Sequence, residues 1–362
     1  MASSPAVAPA PPPGGGLARL RAEVLDPGLC VACGACLGIC PHLIFHDGRV
    51  AAPDACGLDS GRCLDLCPQA IAPGPEARRQ ELAQASDAPW WPELGPVRQA
   101  VWARATAADL VGQVQYGGVV STLAALALEL GLVGEMVLTQ AGLDGAPEGA
   151  RVTDRAGVLA AGGSIYAAGA GLMQVNQALA SDESHPLGLV GLPCQAWGAR
   201  ALRAHPNYPA ARRLQLVIGL FCTLNLDLRR LRAVLDQAGV DQPILRADFP
   251  PPPAGVLELT LPGGLRQIPL DDIRPTVLAG CALCPDLSAE AADLSVGAAE
   301  GQAGWNTVLV RSAVGEKLWA EALARGLVEI QPLPEETRGH LLGAAQAKRQ
   351  RGLMAGKERR HV

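Results

Sequence analysis

The sequence predicts an α+β or mixed α/β protein in two units: a small cysteine-rich module and a larger domain with a mixed sheet. Seven of the eleven cysteines lie between residues 30 and 67. From residue 97 onward helical and extended patterns alternate, which is typical of a layered α/β domain. The chain of 362 residues is 49% hydrophobic and 18% charged, as expected for a globular protein of two domains.

The first run of cysteines has the spacing of a bacterial ferredoxin motif. It reads C-x2-C-x2-C-x3-C-P and consists of Cys30, Cys33, Cys36, Cys40 and Pro41. Small residues between the thiols allow the sulfurs to converge on one cubane. Structural zinc usually takes paired C-x2-C knuckles far apart in sequence, and disulfides belong to secreted chains. The motif therefore predicts a 4Fe-4S cluster in a ferredoxin-like module.

A second run should follow, because the fourth cysteine of such a motif serves a neighbouring cluster. That run ends at Cys67-Pro68 but lacks a thiol, since Ser60 and Gly57 occupy two of the expected positions. The first cluster is complete with Cys30, Cys33, Cys36 and Cys67. The second has Cys40, Cys56 and Cys63 plus an oxygen of Asp59 or Ser60, or an open iron. A three-iron cluster, an oxygen-ligated four-iron cluster and a lobe that only packs are all open.

Charge and composition restrict the partners and the compartment. A net charge of -5 favours neither nucleic acid nor a membrane surface, and no apolar run approaches the roughly 20 residues of a membrane span. Many cysteines without a secretory signal indicate a reducing, cytoplasmic compartment. The predicted units are a disordered leader, an iron-sulfur domain, a proline-rich linker, an α/β domain and a helical tail, at residues 1–16, 17–75, 76–96, 97–333 and 334–362.

Several elements of the larger domain follow from local patterns. Gly117-Gly118 precedes a predicted helix at 119–130 and a strand at 135–139, and Gly162-Gly163 precedes a predicted helix at 168–180. Backbone amides at such glycine pairs could hold a phosphate, although turn geometry alone also explains them. Trp90-Trp91 in the linker should pack on the second domain or cover a cofactor, and packing is favoured.

Two short apolar runs, at 187–192 and 214–221, predict buried parallel strands, each ended by a cysteine. Ligands of α/β sheets bind beyond the carboxyl ends of strands, so Cys194 and Cys222 should lie at the functional edge. Cys281 and Cys284 form a later C-x2-C pair, which makes four thiols available for another cubane. A zinc site with four cysteine ligands fits almost as well, and buried structural cysteines are a third alternative.

The end of the chain predicts a hairpin, a helix and a basic tail. The hairpin pairs 256–261 with 265–270, the helix spans 314–324, and the tail is interpreted as a solvated helical face or a contact for a partner subunit. His185 and His205 lie near Cys194, but lone histidines are more often surface or capping residues. No side chain qualifies as a general base, so the catalytic residues are unassigned.

Seven motifs in register make the larger domain resemble the family of coenzyme F420 hydrogenase/dehydrogenase beta subunits. They lie at 116–122, 163–166, 191–195, 219–222, 281–284, 292–297 and 304–308. The resemblance implies a flavin-binding domain with FAD and a 4Fe-4S cluster on Cys194, Cys222, Cys281 and Cys284. It also implies a flavin pocket formed by Gly117, Gly118, Ser121, Thr122, Gly163, Ser164, Tyr166, Trp305, Asn306 and Thr307.

The chain departs from that family at two positions near the implied pocket. Tyr116 stands where an acidic residue is common, and Ile165 stands where a lysine is common. Both changes remove charge, and the missing lysine could weaken contact with an anionic group.

The resemblance implies an iron-sulfur flavoprotein oxidoreductase. Such a subunit passes electrons between a hydride carrier of the coenzyme F420 type, or a small-molecule substrate, and ferredoxin-type clusters through FAD. Ferredoxin or a catalytic partner subunit would be the other partner. The alternatives are an electron-transfer subunit without its own substrate, a ferredoxin-dependent reductase of a tetrapyrrole or another substrate, and a zinc-stabilised interaction protein.

Overall fold

The structure is a computed structural model that describes residues 15–110, 114–142, 145–250 and 253–360. Most of the predicted leader, and two residues of the proline stretch at 250–253, lie outside these ranges. The described chain forms a ferredoxin-like module, a domain around an eight-stranded sheet, and a long C-terminal helix.

The N-terminal module is small and is organised around its cysteines. It contains helix α1 with a following π-helical turn, a two-stranded antiparallel hairpin and a short helix, at α1 Gly16–Leu20, Arg21–Leu25, β1 Ile44–His46, β2 Arg49–Ala51 and α2 Arg62–Asp65. Leu20, Val24 and Leu37 are almost fully buried beside Cys36 and Cys63. The thiols therefore form part of the module's core.

Residues 76–96, which were predicted to be a linker or a strap lying on the next domain, pack against the second domain. They contain most of helix α3 (Pro75–Ala85) and a two-stranded hairpin of β3 (Trp90–Trp91) and β4 (Gly95–Pro96). The Arg79 guanidinium pairs with buried Glu290 at 2.6 Å and stacks over the Trp90 ring at 4.6 Å. Trp91 packs in the cluster around Leu94. The tryptophan pair is thus used for packing, as favoured.

A mixed sheet of eight strands confirms the predicted fold class. Its spatial order is β15-β5-β14-β13-β9-β8-β6-β7. The four central strands β13, β9, β8 and β6 are parallel, and the outer strands are antiparallel. The strands are β5 Gln99–Ala105, β6 Glu135–Ala141, β7 Pro147–Val152, β8 Leu187–Gly191, β9 Leu214–Leu220, β13 Leu294–Ala298, β14 Asn306–Val310 and β15 Val328–Pro332.

Helices cover both faces of this sheet, as a largely parallel core requires. The helices on the sheet are α4 Val119–Glu129, α5 Arg155–Ala160, α6 Gly171–Ala180, α7 Pro193–Ala204 and α10 Ala313–Ala324, whereas α8 Leu228–Gln237 packs with Leu257, Leu259 and Ile268 outside it. One hydrophobic cluster contains Leu123 of α4 and Leu318 of α10, and the other contains Val175 of α6 and Leu202 of α7. The predicted strands ending before Cys194 and Cys222 are the neighbours β8 and β9, with Val190 opposite Ile218.

A small antiparallel sheet is inserted between β9 and β13. It consists of β10 (Arg246–Asp248), β11 (Val256–Leu261) and β12 (Gly264–Pro269), followed by α9 (Leu270–Ile273). The predicted hairpin is confirmed as β11–β12, whereas β10 was not predicted.

The chain ends in α11 (Glu335–Arg360), a helix of 26 residues. The prediction that this tail is a solvated face is wrong in its middle, where Ala345 is 1% and Lys348 4% exposed. Within the described ranges, no helix combines the length and apolar character needed to cross a membrane.

Candidate iron-sulfur and cofactor site

The first cysteine loop is wound tightly enough to bring its sulfurs together. Ala32 and Gly34 adopt left-handed backbone conformations with φ of 49° and 89°, and the Ala32 amide donates to Cys30 Sγ at 3.3 Å. Burial raises the pKa of the Cys33 thiol well above its ordinary value, and the nearby thiolates of Cys67 and Cys30 raise it further. Burial also raises the pKa of Cys36, and the thiolates of Cys33, Cys67 and Cys30 raise it further. Cys30, Cys33, Cys36 and Cys67 thus form one group.

These four thiols are hard to ionise without a cation between them. Burial raises the pKa of Cys67 to about 12, although the amides of Gln69 and Ala70 donate to its sulfur. Four buried thiolates in one place repel one another, and a metal core removes that cost because it binds the deprotonated form. The donor chemistry therefore fits the 4Fe-4S cluster predicted from the spacing.

A second group lies in the same module and has three thiols. Burial raises the pKa of Cys63 to about 11, and Cys40 and Cys56 add to this effect. Cys63 also raises the pKa of Cys36, a thiol of the first group. Asp59 and Ser60, the candidate oxygen ligands, are exposed in the loop before α2.

The late cysteines meet at the carboxyl edge of the sheet. Cys194 is the second residue of α7, directly after β8, and Cys222 follows the neighbouring β9. Burial raises the pKa of Cys194 well above its ordinary value. The negative charges of four nearby thiolates raise this pKa further, and they belong to Cys33, Cys222, Cys284 and Cys281. The structure therefore gathers the four late thiols and places Cys33 of the N-terminal module beside them.

The sulfur spacing distinguishes between zinc and a cluster. All eleven cysteines are free thiols. Among the described residues, no three cysteine sulfurs lie within 4.8 Å of one another. Tetrahedral zinc with Zn–S bonds of about 2.3 Å would require sulfurs about 3.8 Å apart. The arrangement therefore favours a larger group than a single zinc ion.

A buried lysine and a half-buried arginine lie beside the cysteines. Burial opposes the charge of Lys348, but the thiolates of Cys284 and Cys222 outweigh it and raise the pKa of this lysine. Its Nζ donates to the Cys222 carbonyl. Arg78 donates to the Pro68 carbonyl at 2.7 Å and is attracted by both Cys67 and Cys284, although burial lowers its pKa overall. Arg78 therefore lies between the first and the late groups.

A cavity of about 930 Å³ opens at the same edge of the sheet. This volume is at the upper end of the ordinary range for ligand pockets, and the location is the usual one for α/β sheets. Its wall includes Cys33 of the first group and Cys194 and Cys222 of the late group. Seven of the ten residues expected in a flavin pocket line it: Gly118, Ser121, Gly163, Ser164, Tyr166, Asn306 and Thr307.

The N-terminus of α4 faces this cavity. Gly118 caps the helix with a φ of 72°, and Asn306 Oδ1 accepts a hydrogen bond from the Val119 amide at 3.3 Å. A Cβ on Gly117 would lie 2.7 Å from Asn306 Oδ1, so only glycine fits there. First-turn amides have no acceptor within the helix, and Val120 and Ser121 line the cavity. The geometry suits an anionic group of a ligand.

The second glycine pair differs from its prediction. Gly163 lines the cavity with a φ of 105°, but no helix begins after it until Gly171. The amides of Ala170 and Leu172, at the start of α6, donate to the carbonyls of Ala32 and Cys33 at 3.1 Å. The N-terminus of α6 therefore holds the cysteine loop and is not a phosphate site.

Three of the expected pocket residues do not line the cavity. Trp305 is 3% exposed and packs with Trp102, and the Arg104 guanidinium lies 4.8 Å from its ring centre. The hydroxyl of Thr122 donates to the Gly118 carbonyl at 3.0 Å. Gly117 acts only through the space that it leaves for Asn306.

Sequence reasoning missed a polar cluster on the cavity wall. Tyr116 and Tyr166 both donate to Asp248 Oδ1, at 2.5 and 3.4 Å. Burial raises the pKa of Tyr116, and the hydrogen bond to Asp248 raises it further. Gln115 accepts from the Ser164 amide and donates to the Ala247 carbonyl, each at 2.9 Å. Asp248 lies on β10, the strand that was not predicted, and no local signal marked it.

The two histidines near Cys194 in the sequence do not line the cavity. His185 lies 3.3 Å from Glu135 and 3.4 Å from Glu183, and His205 lies 3.5 Å from Asp65. Their positions agree with the prediction of surface or capping roles.

A mixed α/β sheet whose carboxyl edge carries buried thiol groups and a large cavity defines an iron-sulfur protein with room for a further ligand. Residues 100–176 and 185–336 match the N-terminal and C-terminal parts of the coenzyme F420 hydrogenase/dehydrogenase beta subunit. Residues 23–45 match a 4Fe-4S binding domain. The chain belongs to the family of coenzyme F420 hydrogenase/dehydrogenase beta subunits.

The named relatives are oxidoreductases linked to coenzyme F420, or parts of them. The beta subunit of the coenzyme F420 hydrogenase of Methanothermobacter thermautotrophicus is 27% identical over 253 residues, covering 68% of this chain and 88% of the relative. A component of the F(420)H(2) dehydrogenase of Methanosarcina mazei is 26% identical, and the match covers 87% of both chains. The coenzyme F420-dependent sulfite reductase of Methanocaldococcus jannaschii is 27% identical, covering 82% of this chain and 46% of the relative.

A solved structure supports the fold. One chain in the F420-reducing [NiFe] hydrogenase complex from Methanosarcina barkeri matches with a TM-score of 0.67 at 24% identity. The match covers 74% of this chain and 94% of that chain.

Proposed function

We propose that the protein is an oxidoreductase subunit that passes electrons between a coenzyme F420-type hydride carrier and ferredoxin-type clusters, through FAD held in the cavity. One observation carries the proposal. The cavity wall contains Cys33 of the first thiol group and Cys194 and Cys222 of the late group. A ligand bound there would touch both groups, and the named relatives support a carrier of this type.

FAD would supply the exchange between two-electron and one-electron chemistry, which neither a hydride carrier nor a cluster performs alone. The chain's own residues would bind and orient it. The first-turn amides of α4 suit its pyrophosphate, and Asn306 keeps that turn in place. Tyr116 and Tyr166, whose hydroxyls donate to Asp248, would offer their oxygen lone pairs to ring N–H groups.

The loss of charge at Tyr116 and Ile165 leaves other cations to meet an anionic carrier. Arg274 and Arg351 are the cationic side chains among the described residues that line the cavity. We propose that they contact the phosphate and carboxylate groups of the carrier, since guanidinium forks suit both anions.

The clusters would lead electrons away from the cavity toward the exposed lobe of the module. Cys33 adjoins Cys194, so the first and late groups are neighbours. The thiolate of Cys63 raises the pKa of Cys36, so the three-thiol group lies next to the first group. Leu58, beside the three-thiol group in sequence, is 65% exposed. We propose that a catalytic partner subunit or a ferredoxin meets the protein at this lobe.

Anaerobic purification with iron and flavin analysis tests the proposal. Two complete clusters require about eight iron atoms per chain, and the flavin should be bleached by reduced coenzyme F420. Ser121→Phe, which fills the cavity wall, should lower flavin content. Thr153→Phe at an exposed position is the control. A parent protein that contains no flavin, or a flavin that reduced coenzyme F420 leaves unbleached, would contradict the proposal.

A further inference from the structure

The C-terminal helix α11 contacts the cavity, the late thiols and the loop after Cys67, although the family match ends at residue 336. Thr337 and Leu341 near its start line the cavity. Lys348 in its middle reaches the late thiols. Near its end, Arg359 donates to the Gln69 carbonyl at 2.7 Å, two residues after Cys67. This helix is therefore part of the site.

Lys348 is a buried cation directed at the late thiols. It is 4% exposed, its Nζ donates to the Cys222 carbonyl, and its ammonium is hydrogen bonded to Cys284. In the part of the chain that the structure describes, it forms no ion pair with a carboxylate. Asp286, which also attracts it, accepts hydrogen bonds from the Trp197 indole and the Glu290 amide. The charge of Lys348 is therefore directed mainly at the thiol group.

Close packing at Gly352 fixes the position of the helix that carries Lys348. A Cβ on Gly352 would lie 2.8 Å from the backbone of Cys284 and of Pro285. Glycine is less favourable than alanine in a helix interior, so its use here matches the close approach of the backbones. Residues four apart share one face of a helix. The contact at Gly352 thus aligns Lys348 with the late cysteines.

We propose that Lys348 is a positioning residue that raises the midpoint potential of the late cluster, and this inference rests on the proposed function. A 4Fe-4S core with four thiolates is net negative, and its one-electron reduction adds a further negative charge. A fixed cation in a dry environment stabilises the reduced form more than the oxidised form.

Lys348 would set the difference between the midpoint potentials of the first and the late cluster. Arg78 is attracted by Cys67 and by Cys284, so its charge acts on both the first and the late group. The thiols that act on Lys348 are Cys284, Cys222 and Cys281, all of the late group. Removing Lys348 should therefore lower the late potential and leave that of the first cluster nearly unchanged.

An electron paramagnetic resonance titration of the full chain tests this inference. The late signal is assigned as the one that Cys284→Ser removes. Lys348→Gln keeps a hydrogen-bond donor without the charge, Lys348→Met keeps only the length, and Lys348→Arg keeps the charge. The control is Lys357→Gln, on an exposed part of the same helix about 13 Å further along.

We expect Lys348→Gln to lower the ratio of reduced to oxidised late cluster about tenfold at fixed potential, which corresponds to about 59 mV for one electron. Lys348→Arg and Lys357→Gln should keep the parent value. An unchanged late potential in a neutral variant that retains its iron would overturn the inference.

Two further outcomes are decisive. If both neutral variants lose the late iron, the late potential of Lys348→Arg decides: the parent value supports the inference, because the charge is what the two proteins share, and a clearly different value overturns it. If Lys348→Arg loses it too, the residue is only a packing element and the inference fails. A parent protein without iron on the late cysteines would overturn the proposed function itself, which separates the two failures.

Discussion

Asp248 shows how one side chain can control two others on the cavity wall. It accepts hydrogen bonds from Tyr116 and Tyr166, and the pKa of Tyr116 is raised by burial and then by this hydrogen bond. The folded state holds the phenol proton more tightly than the unfolded state. This contribution to stability is present at neutral pH and is lost as the pH rises through the pKa of the folded phenol.

Asp248→Asn should therefore lower the pKa of Tyr116, while burial keeps it above its ordinary value. The measurement is an ultraviolet absorbance titration, with Tyr116→Phe identifying the signal. Asp271→Asn, at an exposed carboxylate paired with Arg274, is the control and should leave the titration unchanged. An equal titration curve for Asp248→Asn and the parent would show that Asp248 does not act on this phenol.

Ser60 occupies the position of the thiol missing from the second ferredoxin run. Since three cysteines already meet there, Ser60→Cys should complete a four-thiol set and raise the iron content. Ser184→Cys adds a thiol at an exposed position remote in sequence and should not change the iron content. Equal iron and equal resonance spectra in Ser60→Cys and the parent would indicate that this lobe forms no second cluster.

At the residue scale, thiols could be predicted and their neighbours could not. Cys30 and Cys194 stand in patterns with a chemical reason for each spacing. Asp248 and Lys348 act through contacts with residues far away in the chain, and the chain around them carries no signal of its own. Trp305 lies within a family motif, yet its ring is used for packing against Trp102.

Strand β6, the first of the four parallel strands along the chain, begins with a buried carboxylate, Glu135. Burial works against ionisation of Glu135, but hydrogen bonds from Arg151 and His185 outweigh it and hold its pKa below the usual range. Arg151 lies on β7 and binds both carboxylate oxygens, at 2.5 and 2.8 Å. This stabilisation is present at neutral pH and is lost as the pH falls through the pKa of the folded carboxyl.

Arg151→Met should therefore lower the free energy of unfolding by about 2 kcal/mol at neutral pH, because it leaves a buried carboxylate short of donors. The loss should shrink in acid, where Glu135 becomes protonated. Urea unfolding of the variant and the parent at neutral and at acidic pH measures this loss. Arg325→Met breaks an exposed pair with Glu321 and should cost less than about 1 kcal/mol. A pH-independent loss in Arg151→Met would contradict the assigned role.

At the scale of elements, the strands with a strong local pattern were predicted correctly, and the elements with a weak pattern were missed or misjudged. Strands β8 and β9 are apolar runs buried on both faces, so their composition sufficed. Strand β10 has three residues, too few for a pattern. The buried face of α11 carries Ala345, Lys348 and Gly352, which are small or charged, so no apolar stripe marked it as buried.

Across the whole molecule, the late thiols connect segments that are far apart in sequence. We expect Cys284→Ser to impair electron flow from the flavin to an acceptor at the module while leaving the N-terminal clusters intact. Some loss of stability is also expected, because a cluster crosslinks its ligands. Anaerobic stopped-flow measurement follows flavin bleaching separately from dye reduction. Dye reduction at the parent rate in a folded variant would show that these cysteines are only structural.

The N-terminal cysteine module cannot be exchanged for an unrelated ferredoxin without loss of contacts. Four carbonyls of its first cysteine loop, at Ala32, Cys33, Ala35 and Leu37, accept hydrogen bonds from α6 or the residue before it. A Cβ on Gly34 would lie 2.4 Å from the Ala170 carbonyl. A free-standing ferredoxin grafted in its place would leave the Asn176 amide without acceptors unless it copied this loop. Ala32 and Cys33 of this loop also line the cavity, so one change in the loop would alter both a cluster site and the ligand pocket.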